Sequence, residues 1–339
     1  MKQLIDNVGR PIRYLRVSVT DRCNLRCRYC TPSDEFVSLT QDQIISYEEI
    51  LRLATLLAPM GVSSIRVTGG EPLIRKDLER LIRSLSRTSG IEDISLTTNG
   101  YLLQELAGPL REAGLSRINV SLDTLREDRF TWITGSNSEE ITGGLMKVLL
   151  GIKEASRVGL SPVKINVVLM EGFNDDELED FAALTRDHEY ELRFIEFMPM
   201  SPKGFWAKEK VVTAAEAMGR LEASCGAFLP LERGKGAGPA VRYRVPGYVG
   251  TLGFIAPVSR NFCFDCNRIR ITADGKLRTC LFSDSETDLL GPLRSGASDD
   301  QILTIIKAAL TVKPVGHGMT MGNSQGISGC GRIMGHIGG

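Results

Sequence analysis

Three thiols crowd into eight residues at Cys23-Asn24-Leu25-Arg26-Cys27-Arg28-Tyr29-Cys30. Cysteines that only fill a core have no reason to bunch with charged residues between them, so the stretch reads as a metal site. A disulfide has no use for three partners. Zinc ordinarily takes a fourth Cys or His close by, whereas three thiolates on a [4Fe-4S] cube leave one iron open for chemistry. Structural zinc stays the alternative. A second set of three, Cys263-Phe264-Asp265-Cys266 and then Cys280, repeats the theme. Zinc completed by a histidine competes there too, but His188, His317 and His336 do not have ligand spacing to these cysteines. This set reads as a second [4Fe-4S] cluster, its open iron free to bind substrate. Cys225 and Cys330 are left over and read as spare thiols.

Other residues point to an anion. Arg16, Arg66, Lys164 and Arg193 stand on the polar faces of predicted strands, and Arg268 and Arg270 follow the second cysteine pair at once. Each alone reads as a salt bridge or a solvated edge. Converging on one cavity, guanidinium forks suit phosphate oxygens, and several together suit a triphosphate held between the two clusters. Gly69-Gly70-Glu71-Pro72 by itself reads as a tight turn, and without a lysine and hydroxyl pair it is not a P-loop.

The elements that position these residues come from periodicity. Over residues 14–20, Leu15, Val17 and Val19 alternate with Arg16, Ser18 and Thr20, which predicts a strand. The pattern returns at 65–68, 94–97, 118–121, 163–167 and 192–197. Between them lie predicted helices: 47–60, where Ile50, Leu53, Ala54 and Leu57 share a face, and another carrying Leu145, Val148, Leu149 and Ile152. A further helix precedes the last strand, with Asn174 expected to cap it and Glu177 three residues on. Strict alternation predicts a parallel sheet wrapped by helices. The repeated polar face predicts a curved sheet lining a wet cavity, an incomplete barrel of six units with its site at the carboxyl ends of the strands. Cys23 lies just beyond the end of the first strand. Met198 to Gly204 reads as a linker. That divides the chain into a barrel domain, 1–200, and a smaller α+β domain, 201–339, carrying the second cysteine set and a glycine-rich tail. The second domain is expected to hold a helix near 212–222, a loop at 233–239 and strands at 241–245 and 248–255.

At 339 residues the chain is long enough for both. Lys+Arg and Asp+Glu are each 41, so zero net charge gives no general attraction to nucleic acid or an anionic membrane. No apolar signal segment opens the chain and no run of about 18 apolar residues occurs after it, so a soluble cytoplasmic protein, monomer or homodimer, is expected.

The cysteine spacing, with Tyr29 before the third thiol, resembles the signature of radical S-adenosylmethionine (SAM) enzymes. That resemblance implies a partial (β/α)₆ barrel and SAM held by its amino and carboxylate groups on the open iron. It also implies reductive cleavage of SAM to a 5′-deoxyadenosyl radical. Residues 69–72 look like that family's glycine-glycine-glutamate-proline segment, and SAM contacts carry over to Tyr29, Gly70, Ser121 and Met198. More motifs narrow the match: Arg16 to Arg22, Leu96-Thr97-Thr98-Asn99-Gly100, Phe194 to Met198, the second cysteine set and the terminal Gly338-Gly339. Together they resemble the GTP 3′,8-cyclase family of molybdenum cofactor biosynthesis, from residue 4 to about 310 and again at the last two glycines.

This resemblance implies GTP contacts from Arg16, Arg66, Thr97, Lys164, Arg268 and Arg270, with the second cluster at the guanine edge and the double-glycine end reaching into the active site. The implied reaction takes hydrogen from ribose C3′ and joins that carbon to guanine C8. The product is (8S)-3′,8-cyclo-7,8-dihydroguanosine 5′-triphosphate, made with electrons from a low-potential donor and consumed by cyclic pyranopterin monophosphate synthase. Side chains would orient substrate and exclude oxygen, with no catalytic residue beyond the clusters and SAM. Two rival readings stand. One is another two-cluster radical SAM enzyme such as a peptide maturase, which usually has more C-terminal cysteines and no cationic lumen. The other is a non-catalytic iron-sulfur or zinc protein.

Overall fold

A computed structural model describes residues 3–30, 37–135, 143–200, 205–232, 238–260, 262–317, 332 and 334–338. Most of the loop expected at 233–239, the spare Cys330 and the terminal Gly339 lie outside the described residues.

The six expected strands are present: β1 (Tyr14–Ser18), β2 (Ser64–Thr68), β3 (Asp93–Thr98), β4 (Arg117–Ser121), β5 (Val163–Leu169) and β6 (Glu191–Glu196). They pair in parallel and in sequence order. The helices α1 (Tyr47–Leu57), α2 (Leu78–Ser86), α3 (Leu103–Glu112), α4 (Glu127–Ile133), α5 (Gly144–Arg157) and α6 (Leu178–Ala183) come between them. Ser46 and Glu49 cap α1 reciprocally, and its buried face is the predicted Ile50, Leu53, Ala54 and Leu57. It stops short of the predicted Met60 because Pro59 has no N–H to donate, and residues 58–60 tighten into a 3₁₀ turn.

The cap expected at Asn174 is not made. Its buried side chain donates to the carbonyls of Asp123 (2.6 Å) and Val168 (2.9 Å) and accepts from the Met170 N–H (2.8 Å). Glu177 turns to Thr124 and Leu125 instead. Holding together the loops after β4 and β5 satisfies more buried polar groups than one helix end would.

Beyond residue 205 come α7 (Ala214–Cys225), β7 (Leu229–Pro230), β8 (Val241–Arg244), β9 (Thr251–Ile255), β10 (Arg268–Ile271), β11 (Lys276–Arg278), β12 (Thr287–Asp288), α8 (Leu290–Arg294), α9 (Asp299–Thr311) and α10 (Met334–Ile337). Their strands extend both edges of one sheet, in the order β12-β11-β10-β1-β2-β3-β4-β5-β6-β9-β8-β7. Both β10 beside β1 and β9 beside β6 run parallel to the barrel strands, with antiparallel hairpins outside them.

Register assigns the two faces. Leu15, Val17, Ile65, Val67, Leu96, Ile118, Val120, Ile165 and Val167 are buried in the core that the helices cover, each worth ~1.5–3 kcal/mol when fully buried. The alternate positions form polar rungs across the strands. Arg270, Arg16, Arg66 and Ser95 make one; Thr97, Asn119, Lys164 and Glu191 a second; Ser121, Asn166 and Arg193 a third.

One carboxylate joins the barrel to the segments C-terminal to it. Glu196, at the end of β6 and 2% exposed, accepts the N–H groups of Ala214 (2.9 Å), Val258 (2.8 Å) and Ser259 (2.8 Å), and the Ser259 hydroxyl. Glu196→Ala strands three backbone donors at ~1 kcal/mol or more each, so a loss of about 3 kcal/mol is expected, seen as a lowered thermal midpoint. An unchanged midpoint would mean that this junction is held elsewhere.

Candidate active site

A cavity of about 350 Å³ is lined by both cysteine sets. Cys23, Cys27 and Cys30 follow the carboxyl end of β1, whereas Cys263 and Cys266 precede β10 and Cys280 follows the antiparallel β11, at the amino end of the β1–β10 pair. Every predicted site residue lines it except Lys164. That lysine lines an adjoining recess of about 130 Å³, which shares Arg16, Arg66, Arg193 and Arg268 with the main cavity. A separate surface pocket of about 490 Å³, walled by Trp132, Phe173 and Phe205, contains no predicted site residue.

The first cysteine loop is fixed by its backbone. Arg26 and Arg28 N–H groups donate to Thr134 and Ile133 carbonyls, both at 2.9 Å, and Cys30 N–H donates back to Cys27 at 2.9 Å. On the other flank the Gly70 N–H donates to Thr20 O (2.7 Å) and the Glu71 N–H to Arg22 O (2.8 Å). A Cβ at Gly70 would collide with Arg22 O and lie 2.5 Å from Asp21 O, so only glycine lets the two loops approach this closely.

Glu71 is the hub that sequence reasoning passed over as part of a turn. Its buried carboxylate accepts from Leu73 N–H (2.9 Å), Thr98 Oγ1 (2.8 Å) and Asn99 N–H (2.7 Å), which ties the end of β2 to the end of β3. Burial pushes it up to about 7 against those hydrogen bonds. Asn99 in turn points its amide at Asn24 Oδ1 (2.8 Å) and Cys23 Sγ (3.7 Å).

The thiols test the metal assignment. Burial pushes Cys23 up to about 12 and Cys27 well above the ordinary range, and the thiols of the loop raise one another further. A bare set of thiolates is therefore unstable here, whereas a shared cationic iron centre deprotonates its thiols outright. Among the described residues no three His, Cys, Asp or Glu side chains gather closely enough for a single metal ion. Each set brings three thiols to the cavity, the donor set of a cube that gives one iron to each thiolate and leaves a fourth open, so both sets fit a cluster.

At the second set burial raises Cys263. Cys266 is held below the ordinary thiol value, because Lys313 and Arg268 outweigh its burial. The Lys313 ammonium is itself lowered by burial and held up by the Cys266 and Cys280 charges. Arg10 donates to the Cys263 carbonyl (2.7 Å) and to Pro314 O (2.7 Å), fastening the N-terminal segment to this loop.

Between the two sets lie the cations. Burial, then the neighbouring Arg270 and Arg66, pulls Arg16 far down; burial brings Arg66 and Arg270 to about 10 and Lys164 to about 7. Positive groups that cost this much to keep charged are a built anion site. Arg193, also in the cavity, pairs with Glu191 at 2.5 Å, and Lys164 reaches the same carboxylate at 3.3 Å. Thr97 Oγ1 and Asn166 Oδ1 are buried with no hydrogen-bond partner among the described residues, which leaves both for a ligand. Tyr29 donates to Asp123 Oδ2 at 2.7 Å, and burial raises that carboxyl to about 6.

The end of the chain enters the same cavity, where Met334 and Gly335 line the wall. The Gly338 carbonyl accepts from Arg270 Nη1 (3.1 Å), and a Cβ there would sit 2.5 Å from Thr68 Oγ1. Arg332 anchors this return, bidentate on Asp274 (2.8 Å twice) and reaching Glu286 (2.8 Å).

An incomplete barrel with a three-thiol loop after its first strand and an ion-lined lumen defines a radical SAM enzyme. Residues 17–185 match the radical SAM superfamily, and residues 190–319 match Molybdenum Cofactor Synthesis C. Streptococcus suis SuiB bound to S-adenosylmethionine has the same fold, with a TM-score of 0.54 over 89% of this chain and 70% of that one at 15% identity. The chain belongs to the GTP 3′,8-cyclase family. It is 46% identical to the GTP 3′,8-cyclase of Peptoclostridium acidaminophilum over 94% of both chains. To that of Moorella thermoacetica it is 46% identical over 98% of this chain and 99% of that one. Among the described residues no helix is long and apolar enough to cross a membrane.

Arg332→Ala removes the anchor while leaving the barrel's own contacts. Amide hydrogen exchange in residues 334–338 is expected to speed up by tenfold or more, ~1.4 kcal/mol, with the β1–β6 amides unchanged. Unaltered exchange in α10 would show that Arg332 does not hold the tail.

Proposed function

We propose that this chain converts GTP into (8S)-3′,8-cyclo-7,8-dihydroguanosine 5′-triphosphate, the first step of molybdenum cofactor biosynthesis, in the cavity between its two cysteine sets. The observation that carries the assignment of the site is the rung Arg270, Arg16 and Arg66, three cations on neighbouring strands facing one cavity with a thiol set at either side.

Two [4Fe-4S] clusters and SAM are the enzyme's cofactors. Cys23, Cys27 and Cys30 would hold the first cluster, with Gly70, Ser121, Met198 and Tyr29 around SAM, and Cys263, Cys266 and Cys280 would hold the second. When bound, the first cluster and SAM supply hydrogen-atom abstraction, and the second supplies an open iron for the guanine edge.

GTP and its product are isomers. One hydrogen leaves C3′, the C3′–C8 bond forms, and one electron and one proton arrive at the imidazole ring of guanine. The protein's own work is to hold ribose and base in bonding reach and to keep water and oxygen away, a positioning task worth several kcal/mol. Arg16, Arg66, Lys164, Arg268 and Arg270 would grip the triphosphate. Thr97 would give its unpartnered hydroxyl to a substrate oxygen, with the base directed at the second set. Met334 and Gly335 would line the substrate's cavity, with Gly338 O on Arg270. We place the enzyme in the cytoplasm, as a monomer or homodimer, drawing electrons from a low-potential donor and passing product to cyclic pyranopterin monophosphate synthase.

The test is anaerobic incubation of the reconstituted protein with SAM, dithionite and GTP, with ATP and a cysteine-containing peptide as alternatives. An isobaric product from GTP alone, formed in proportion to SAM cleaved, is expected. SAM cleavage that depends on the peptide and ignores GTP would overturn the assignment.

Lys164 adds a pH signature. Its folded value of about 7 means that the free enzyme carries the charge below that pH and loses it above. A triphosphate favours the charged form, so above pH ~7 binding must take up a proton, and affinity falls by up to about tenfold per pH unit. Titration calorimetry between about pH 7.5 and 9, in buffers of different ionisation enthalpy, should detect that uptake. Lys164→Met should bind GTP more weakly and without the slope. A wild-type affinity independent of pH would remove Lys164 from the phosphate site.

A further inference from the structure

We propose that Lys313 sets the reduction potential of the second cluster, holding it above that of the first. Lys313 lies two residues past the end of α9, just after its C-cap Val312, and is 2% exposed. Its ammonium donates to the carbonyls of Thr279 (2.6 Å) and Arg268 (2.8 Å) and lies 3.6 Å from Cys266 Sγ. An ammonium has three donors, and this tripod uses all three. Two of them grip the backbone beside the ligands, since Thr279 immediately precedes Cys280 and Arg268 follows Cys266 by two residues. The third is aimed at a ligand sulfur.

Charge bookkeeping distinguishes this lysine from its neighbours. Arg10, a buried cation that also reaches this loop, is ion-paired with Asp6 at 2.5 Å, and the side chains of Arg268 and Arg270 face the cavity instead of donating to a ligand sulfur. Among the described residues no carboxylate pairs with Lys313, so the negative charge nearest its ammonium is that of the thiolate set. Buried charges need such a partner. Cluster potentials depend on net charge and hydrogen bonds to the sulfurs. A full positive charge beside a ligand sulfur favours the form with one more electron. At the first set the hydrogen bonds to Cys23 Sγ come from neutral groups among the described residues, the Leu25 N–H (3.3 Å) and the Asn99 amide (3.7 Å). One chain thus gives two similar clusters different electrostatic surroundings, so that an electron entering the enzyme is drawn towards the substrate's end of the cavity.

The inference rests on Cys263, Cys266 and Cys280 being the second ligand set, and the test separates the two claims. Reconstituted holoenzyme without SAM or GTP is titrated with dithionite through redox mediators, one electron per cluster, with the two signals followed by electron paramagnetic resonance and iron counted beforehand. In the wild type the second cluster is expected to reduce first. Lys313→Gln keeps a donor but removes the charge, and should lower the second potential by at least 59 mV, a tenfold change in the one-electron equilibrium. Lys313→Arg should restore most of it, and the first cluster should not move in either variant. A Lys313→Gln protein with both clusters at wild-type potentials would overturn the proposal and leave the ligand set standing. So would a wild-type second cluster that reduces at or below the first, a readout that holds even if the variants lose iron. A wild-type chain that takes up a single cluster would overturn the ligand set itself.

Discussion

Parallel register forces three arginines to stand side by side. Arg270, Arg16 and Arg66 occupy one rung of β10, β1 and β2, with strand spacing near 4.8 Å, and burial adds desolvation to their mutual repulsion. The outer face offsets that cost, through a continuous layer of Leu, Ile and Val against the helices, each side chain contributing ~1.5–3 kcal/mol. The sheet is thus divided into a face that stabilises the fold and a face that stores charge for an anionic ligand.

The loops at the carboxyl ends depend on the same division. With the strand ends held rigidly by the outer core, single buried polar groups suffice to set the loops: Glu71 joins the ends of β2 and β3, Asn174 the loops after β4 and β5, and Glu196 the end of β6 to the segment after β9. Gly70 then admits the first cysteine loop against this frame at a distance no side chain tolerates. Two cysteine sets far apart in sequence come to opposite ends of one cavity because β10, which begins two residues after Cys266, pairs in parallel with β1, which ends five residues before Cys23. Met334 and Gly335 also line the cavity between them, and Gly338 O accepts from Arg270, in a segment that Arg332 ties to Asp274 and Glu286.

Much of this was legible in the sequence because it is local. Period-two alternation assigns Arg16, Arg66 and Lys164 to one face without any knowledge of neighbours, and two tight cysteine groups announce metal chemistry by spacing alone. The features that escaped depend on distant partners. Nothing in residues 251–271 says that β9 and β10 will pair with opposite edges of the barrel sheet instead of building their own. Asn174 has the sequence look of a helix cap, and only the loops around Asp123 and Val168 turn it inwards. Lys313 and Arg332 carry no motif; their roles come from carbonyls and carboxylates 34 to 58 residues away. Glu71 sat inside a recognised segment, but the buried groups that give it work, Thr98 and Asn99, arrive from the next strand.

The most direct test of the account tracks one atom. GTP deuterated at C3′ is incubated anaerobically with the iron-loaded protein, SAM and dithionite, and 5′-deoxyadenosine is analysed by mass spectrometry. Deuterium in the deoxyadenosine is the predicted result, because it requires the ribose to lie where the cationic rung and the two cysteine sets would hold it. Deoxyadenosine formed without label, at the same rate whether or not GTP is present, would contradict the claim that this cavity orients GTP for abstraction.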